Sequence, residues 1–216
     1  SDVCSSDLTQ HRLFLVSGHD EYWSQEMRTA VSAARDRGVH LAVFGANTSY
    51  WKVRLVPNGT GASDRVMVTF KTSEAAGTPV DPAGATSTWR DPQGPNEPEN
   101  AFLGIQYVGD NDALSFPWRV SAAQARDRIF RHTDLQELPD GTFVDIGRSL
   151  VGWEWDAVVG NGRAPEGLEV LSETPVVGAL LPPSARESDR SLGRSVSHAI
   201  RHVAPNGSIL FNVGTI

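Results

Sequence analysis

The chain has 216 residues, of which 39% are hydrophobic and 21% are charged, a composition typical of a folded globular domain and not of a disordered segment. Its net charge of −7 disfavours nucleic acid as a partner, because phosphate binding needs a basic face. The sequence has no apolar run of about 18 residues and therefore predicts no membrane span. Its single cysteine, Cys4, excludes an intrachain disulfide.

The N-terminal segment is unusual. Residues 2–8, DVCSSDL, have no hydrophobic periodicity and no apolar anchor before Leu8. They resemble the translation of a sequencing-adapter oligonucleotide, so we expect residues 1–10 to be a non-native or disordered leader; an ordinary frayed terminus is the alternative. We also expect a fragment of a longer protein. A cytoplasmic location is favoured, although a missing N-terminal segment would leave export open.

The first 72 residues predict a strand, a helix and a second strand. Leu13–Val16 and Val39–Phe44 are continuous apolar runs, typical of strands that are buried on both faces. Between them, Ser24 is a good N-cap, and apolar residues in Met27–Ala34 recur with the helical period. A unit of this kind joins two parallel strands by a right-handed crossover.

A long loop follows at residues 73–100, which are rich in proline and glycine. Loops of this length are usually either functional covers or disordered. Trp89 and Arg90 in its second half are the side chains that could anchor such a cover.

Residues 101–216 predict a mostly β second part. Gly109–Asp112 is expected to be a turn, and the Pro-Asn-Gly sequence at 205–207 marks a hairpin. Four short strands are expected between these turns: Thr142–Ile146, Ser149–Trp155, Leu168–Ser172 and Val176–Leu180. We expect residues 11–216 to form a single domain composed of the βαβ core, the long loop and this β-rich part.

Two polar loops, each with a Tyr-Trp pair, follow the two apolar runs. SGHDEYWS occupies residues 17–24 and GANTSYW occupies residues 45–51. Ligands bind outside the carboxyl ends of parallel strands, so we expect the two loops to lie together at a binding edge. From the residues alone, Tyr22 and Tyr50 fit either a site or simple packing against their tryptophan neighbours.

Several reaction classes lack their motifs. The sequence contains no GxSxG elbow, HExxH pair, phosphate-binding loop or paired CxxC. A serine hydrolase is disfavoured because no base–nucleophile pair can be placed. His198 and His202 are four residues apart in a predicted strand, which is too far for one metal ion.

Three segments, SGHDEYWS, FGANTSYW-x-VR and LVGWEWD, together resemble the large (β) subunit of the N,N-dimethylformamidase family. PENAFLGIQY and ILFNVGT resemble further segments of that family, and the similarity extends over residues 11–216. It implies an α/β fold of the class I glutamine-amidotransferase type. A flavodoxin-like parallel sheet would form the first part, with the loop-rich, mostly β second part packed on it. It also implies a metal-dependent hydrolase that cleaves linear amide C–N bonds in small N-substituted amides.

The resemblance implies a mononuclear Fe³⁺ site with Tyr22, Tyr50 and Glu154 as ligands. Phenolate and carboxylate oxygens are hard anionic donors, which suit a hard ion of high charge. Tyrosine has a free pKa near 10, so it ligates at neutral pH only when the metal displaces its proton. Three protein ligands leave positions for water and substrate.

Four further residues are candidate catalytic groups because they lie close in sequence to the implied ligands: His19, Glu21, Asn47 and Asp156. They could relay protons or hold the ligands in place. Four tryptophans are expected to form a dry wall around the substrate: Trp23, Trp51, Trp153 and Trp155. The sequence departs from the family where a histidine is expected near the ligand glutamate, which puts the proton-transfer step in question.

The resemblance implies a small amide substrate, a small subunit and a homo-oligomer as partners. The net charge and the lack of a long apolar run predict neither nucleic acid nor membrane as a partner. The alternative function is a non-catalytic amidotransferase-like module that serves ligand binding or assembly in a larger protein. Arg54 and Arg90 are expected to pair with carboxylates for structural reasons and not to bind an anionic substrate.

Overall fold

A computed structural model describes residues 8–71, 81, 86–181 and 190–215. Most of the predicted leader, with Cys4, and most of the first half of the long loop lie outside the described residues. No described helix has the length and apolar character needed to cross a membrane.

The described residues form eleven strands and two α-helices, together with short 3-10 helices in the stretch between β7 and β8. In chain order the strands and α-helices are β1 Leu13–Ser17, β2 Tyr22–Ser24, α1 Gln25–Asp36, β3 His40–Phe44, β4 Trp51–Val56, β5 Val66–Val68, β6 Ser87–Thr88, α2 Glu99–Leu103, β7 Gln106–Ser121, β8 Phe143–Ala157, β9 Glu169–Leu180, β10 Ser191–Val203 and β11 Ile209–Asn212.

Seven strands form one mixed sheet in the order β1-β3-β11-β10-β9-β7-β8. β1, β3 and β11 are parallel neighbours, whereas the pairs from β11 through β10, β9 and β7 to β8 are antiparallel. A smaller sheet contains β2, β4 and β5, and β6 pairs with β4. Since β2 directly follows the loop after β1, the small sheet stands at the carboxyl end of the parallel strands.

The predicted fold class, a flavodoxin-like parallel sheet of the class I glutamine-amidotransferase type, is wrong. The described part of the chain is mostly β, with 45% of its residues in strands and 16% in helices. β1 and β3 do pair in parallel across α1, as the strand–helix–strand unit predicts. A doubly wound sheet, however, needs repeated helical crossovers that cover both of its faces. After β3 the described chain continues mainly as antiparallel strands, which short connections can join.

The strands of the second part are longer than predicted. Gly109–Asp112, expected to be a turn, lies within β7, where the register with β8 shifts between Asp110 and Ser115. Each expected pair of short strands is one continuous strand, β8 or β9. Bulges let a long strand bend without ending, so local turn signals there do not mark strand ends. The hairpin at 205–207 is confirmed by the antiparallel pairing of β10 with β11.

The main core lies between α1 and one face of the parallel strands. Ser24 caps α1, because its Oγ accepts a hydrogen bond from the Met27 amide at 3.2 Å. Val31 on the buried face of α1 joins a cluster with Val16 and Leu41. This packing fixes the strands whose carboxyl ends carry the two Tyr-Trp loops.

Candidate active site

The two Tyr-Trp loops meet, as the sequence predicts. Tyr22 of β2 stands beside Trp51 of β4 in parallel register, and the Tyr50 amide donates to the Glu21 carbonyl at 3.0 Å. Two glycines permit this approach: a Cβ on Gly45 would lie 2.4 Å from the backbone oxygen of Gly18. A side chain at position 45 would therefore push the loops apart.

The second loop is buried and strained. Residues 46–50 are all buried, and Asn47 and Ser49 have positive φ angles of 54° and 58°. Within the described part of the chain, the hydroxyls of Thr48 and Ser49 are buried without hydrogen-bond partners. A strained conformation of this kind costs on the order of 1 kcal/mol or more per residue and is concentrated at functional sites.

Asn47 holds two glutamates side by side. Its Nδ2 donates to Glu21 Oε1 and to Glu154 Oε1, both at 3.2 Å. His19 approaches the same pair from the solvent side, with its Nε2 3.3 Å from Glu154 Oε2 and 3.7 Å from Glu21 Oε2. The side-chain amide of Asn47, in the loop after β3, therefore joins Glu21 of the loop after β1 to Glu154 of β8.

Asp156 lies beneath this group and is buried. Its Oδ1 accepts a hydrogen bond from the Asn47 backbone amide at 2.8 Å, and its own amide donates to the Gly214 carbonyl at 2.8 Å. Burial raises the pKa of Asp156 to about 7, with the Asn47 hydrogen bond acting in the opposite direction. The carboxyl group can therefore hold or release a proton near neutral pH.

Glu154 is the least satisfied carboxylate of the site. Burial raises its pKa, His19 and Asn47 oppose that shift, and the charges of Glu21 and Asp110 raise the pKa further. No described residue offers Glu154 Oε2 a hydrogen bond of acceptable geometry, although His19 is in contact with it. A partly buried carboxylate oxygen without a donor is stabilised by an added cation.

All three tyrosines of the chain, Tyr22, Tyr50 and Tyr107, belong to one aromatic cluster. Tyr50 is 1% exposed, and its ring lies 5.5 Å from that of Tyr107 in an edge-on arrangement. Burial raises the pKa of the Tyr22 phenol, a hydrogen bond with Lys71 lowers it, and one with Glu21 raises it. Tyr22 and Glu154 therefore share Glu21 as a neighbour.

Tyr107, Asp110 and Arg190 are residues that the sequence did not indicate as site residues. The Tyr107 hydroxyl donates to Asp110 Oδ2 at 2.5 Å, and Arg190 contacts both side chains. Burial and the hydrogen bond to Asp110 raise the pKa of the Tyr107 phenol. Asp110 stands opposite Glu154 in the β7–β8 register. The family-like segment PENAFLGIQY, which ends at Tyr107, was the available signal.

The end of the long loop supports Tyr50. Trp89 is buried, and its amide donates to the Tyr50 carbonyl at 2.9 Å. The Arg90 guanidinium lies 4.9 Å above the Tyr50 ring and pairs with Glu99 at 2.6 Å. Both residues therefore anchor this part of the loop. Arg54 likewise pairs with Asp81 at 3.3 Å, as expected of a structural arginine.

The four tryptophans do not form one wall. Trp51 packs against Tyr50, but Trp23 belongs to the core beneath α1. Trp155 belongs to a third cluster, which is formed by residues of β7, β8 and β9. Trp153 is 69% exposed, although regular alternation would place it on the same face as the buried Val151 and Trp155. Its positive φ of 28° and the register shift between β7 and β8 break the alternation at this position.

The residues present fit a hard metal ion. In the described parts of the chain, no group of three or more His, Cys, Asp and Glu side chains is arranged to hold a metal ion, so a metal here would need tyrosine oxygens. Tyr22 and Glu154 share Glu21 as a neighbour, Tyr50 belongs to the same cluster as Tyr22, and Glu154 Oε2 has no hydrogen-bond donor among the described residues. Phenolate and carboxylate oxygens together suit a hard cation of high charge.

Comparison with known families gives one match. The family model described as N,N-dimethylformamidase beta subunit-like, C-terminal, covers residues 2–216. The description as a beta subunit is consistent with assembly with another subunit. No curated protein matches the sequence. Since the match spans the whole chain after the first residue, the protein belongs to the N,N-dimethylformamidase beta subunit-like family, in its C-terminal part.

Proposed function

We propose that this chain is the C-terminal catalytic module of a metal-dependent amidohydrolase that acts on small N-substituted amides. The observation that carries the proposal is the shared position of Glu21, Glu154 and His19 around the Asn47 amide, next to the cluster that holds all three tyrosines. Tyr22, Tyr50 and Glu154 would hold a ferric ion. When bound, this ion would polarise the substrate carbonyl and lower the pKa of water.

The chain's own residues would orient the reactants and move protons. Asn47 keeps one oxygen each of Glu21 and Glu154 in place through its two amide protons. Glu21 Oε2 is the acceptor for a proton from the attacking water, and His19 Nε2 is 3.7 Å away from it. His19 is 44% exposed, so it can pass this proton to the leaving amine or to solvent.

The expected reaction adds water to the carbonyl carbon and breaks the C–N bond, with the proton of the water ending on the leaving amine. N,N-dimethylformamide would give formate and dimethylamine, and the family description supports an amide of this class. A small subunit and a homo-oligomer are proposed partners. The small size of the substrate is supported by the close packing of Tyr50, Tyr107 and Trp51.

Metal content and the visible spectrum test the assignment of ligands. Ferric tyrosinate absorbs visible light, so the iron-loaded protein is expected to be coloured. Tyr22→Phe and Tyr50→Phe should each lose iron and colour while remaining folded. Tyr107→Phe is the matched control: it removes a hydroxyl that donates to Asp110, from the same cluster, and should retain both.

Release of dimethylamine from N,N-dimethylformamide tests the reaction. His19→Ala should keep the iron and lose about 10²-fold or more in kcat, as expected for a lost proton-transfer group. A folded, colourless protein that binds no iron would instead support a non-catalytic binding module. Retention of iron in Tyr22→Phe together with its loss in Tyr107→Phe would refute the proposed ligand set.

A further inference from the structure

One face of the large sheet is open along β1, β3 and β11. The opposite face is covered by α1. Register places Leu15 beside Ala42, and Ala42 beside Phe211, on the open face. The large apolar side chains that it exposes wholly or in part are Leu13, Leu15, Phe44, Val203, Ile209 and Phe211. Parallel strands are normally covered on both faces, and among the described residues no second layer covers this one.

The neighbouring strands show where the cover stops. Residues 124–137 pass over β9 and β10 as short 3-10 helices. Phe130 of this segment packs in a cluster with Leu171 of β9 and Ala199 of β10. This layer ends next to Phe211. A groove of about 430 Å³ lies at its edge, lined by Arg128, Ile129, Arg131, Arg201, Ile209 and Phe211.

The groove edge is positive in a chain whose net charge is −7. Arg201 pairs with Asp127 at 2.7 Å. Arg128 and Arg131 are exposed, and neither side chain forms an ion pair or hydrogen bond with another residue that the structure describes. An exposed apolar strip bordered by two such arginines is complementary to a segment that is apolar on one side and acidic on the other.

We propose that this open face binds an amphipathic acidic helix of a partner polypeptide. The apolar stripe of the helix would lie across Leu15 and Phe211, and carboxylates along its flank would pair with Arg128 and Arg131. A helix is the element that usually covers parallel strands. A second copy of the chain fits less well, because a two-fold contact presents the same arginines from both sides.

Two synthetic peptides test the charge argument. Each is an amphipathic helix of about 18 residues, or five turns, with leucine on one face; the polar face carries glutamate in one peptide and lysine in the other. The overall charge of −7 alone favours the lysine peptide. The proposal expects the reverse: fluorescence anisotropy should show at least about tenfold tighter binding of the glutamate peptide, weakening as salt is added.

Variants locate the binding surface. Leu15→Glu should abolish binding of the glutamate peptide, and the double variant Arg128→Ala/Arg131→Ala should weaken it about tenfold. Leu150→Glu is the matched control, since Leu150 is 50% exposed and Leu15 is 53% exposed, but Leu150 lies on the distant strand β8. Circular dichroism checks that each variant is folded. If Leu15→Glu does not fold, the double variant Arg128→Ala/Arg131→Ala still tests the binding surface.

Three results would overturn the proposal. The first is tighter binding of the lysine peptide, or equal binding of both. The second is binding that Leu150→Glu reduces as much as Leu15→Glu. The third is a dimer of the chain, seen by analytical ultracentrifugation and lost in Leu15→Glu, which would assign the face to a second copy.

Discussion

The Arg90–Glu99 pair should be a major determinant of both stability and site geometry. Arg90 donates to Glu99 through Nε and through Nη2, with a shortest contact of 2.6 Å, and also to the Tyr107 carbonyl at 2.9 Å. Both side chains are almost fully buried. Arg90→Met removes the cation that pairs with Glu99 and leaves this buried carboxylate with only the charge interaction with Arg28.

The expected cost follows from that buried charge. Breaking a buried pair by removing one partner costs about 3–5 kcal/mol, which for a chain of this length lowers the melting temperature by roughly 6–20 °C. Replacing both partners removes both charges of the pair, so Arg90→Met/Glu99→Leu should recover at least about 2 kcal/mol relative to Arg90→Met.

Urea unfolding followed by tryptophan fluorescence measures these changes. The two single variants, the double variant and the native chain form a double-mutant cycle. Arg119→Met is a suitable control, because Arg119 pairs with Asp145 at 2.7 Å but the two side chains are 32% and 35% exposed, so its loss should cost less. Additive effects of Arg90→Met and Glu99→Leu, within about 0.5 kcal/mol, would refute the reasoning.

Two further changes test the approach of the loops and the acid stability. Gly45→Ala places a Cβ 2.4 Å from the Gly18 oxygen, so the free energy of unfolding should fall by about 1–3 kcal/mol and the amount of bound iron should fall with it. Gly59→Ala is the control, because its Cβ would meet no atom within 4 Å, and it should change neither quantity. Burial lowers the pKa of His198 below its ordinary value of 6.5, and its Nδ1 accepts the Val158 amide at 3.1 Å. Its stabilising contribution is therefore complete above the ordinary pKa and is lost as the pH falls below it. Between about pH 8 and about pH 5, the free energy of unfolding should decrease less steeply for His198→Asn than for the native chain. Equal slopes for the two proteins would contradict this role of His198.

The sequence predicted the location of the candidate site better than the fold class. The Tyr-Trp loops after Leu13–Val16 and Val39–Phe44 meet because two parallel strands end at the same edge. That relation depends only on a strand–helix–strand pattern, which local periodicity reveals. Family resemblance then connected the β-rich part of the chain to this edge, and the match to the family is confirmed. The proposed roles of the metal ligands stay predictions.

The residues that the sequence did not indicate are those joined over long distances. Arg190 contacts Asp110, although 80 positions separate them in the chain, and Tyr107 at the start of β7 meets Tyr50 of the loop after β3. Bulges and strand register decide such contacts, and neither leaves a local signature. The open face of β1, β3 and β11 was likewise hidden, since a continuous apolar strand gives the same pattern whether or not a second layer covers it.

The sequence by itself therefore determined the family, the parallel β1–β3 pair, the N-cap of α1 and the two loops of the site, because each depends on residues close together in the chain. Only the tertiary structure decided that the remaining strands pair mostly antiparallel, that Asn47 joins Glu21 to Glu154, and that Asp156 is buried beneath them. These features depend on the order and register of strands from distant parts of the chain. Many orders satisfy the same hydrophobic pattern, and packing of the whole sheet selects one of them.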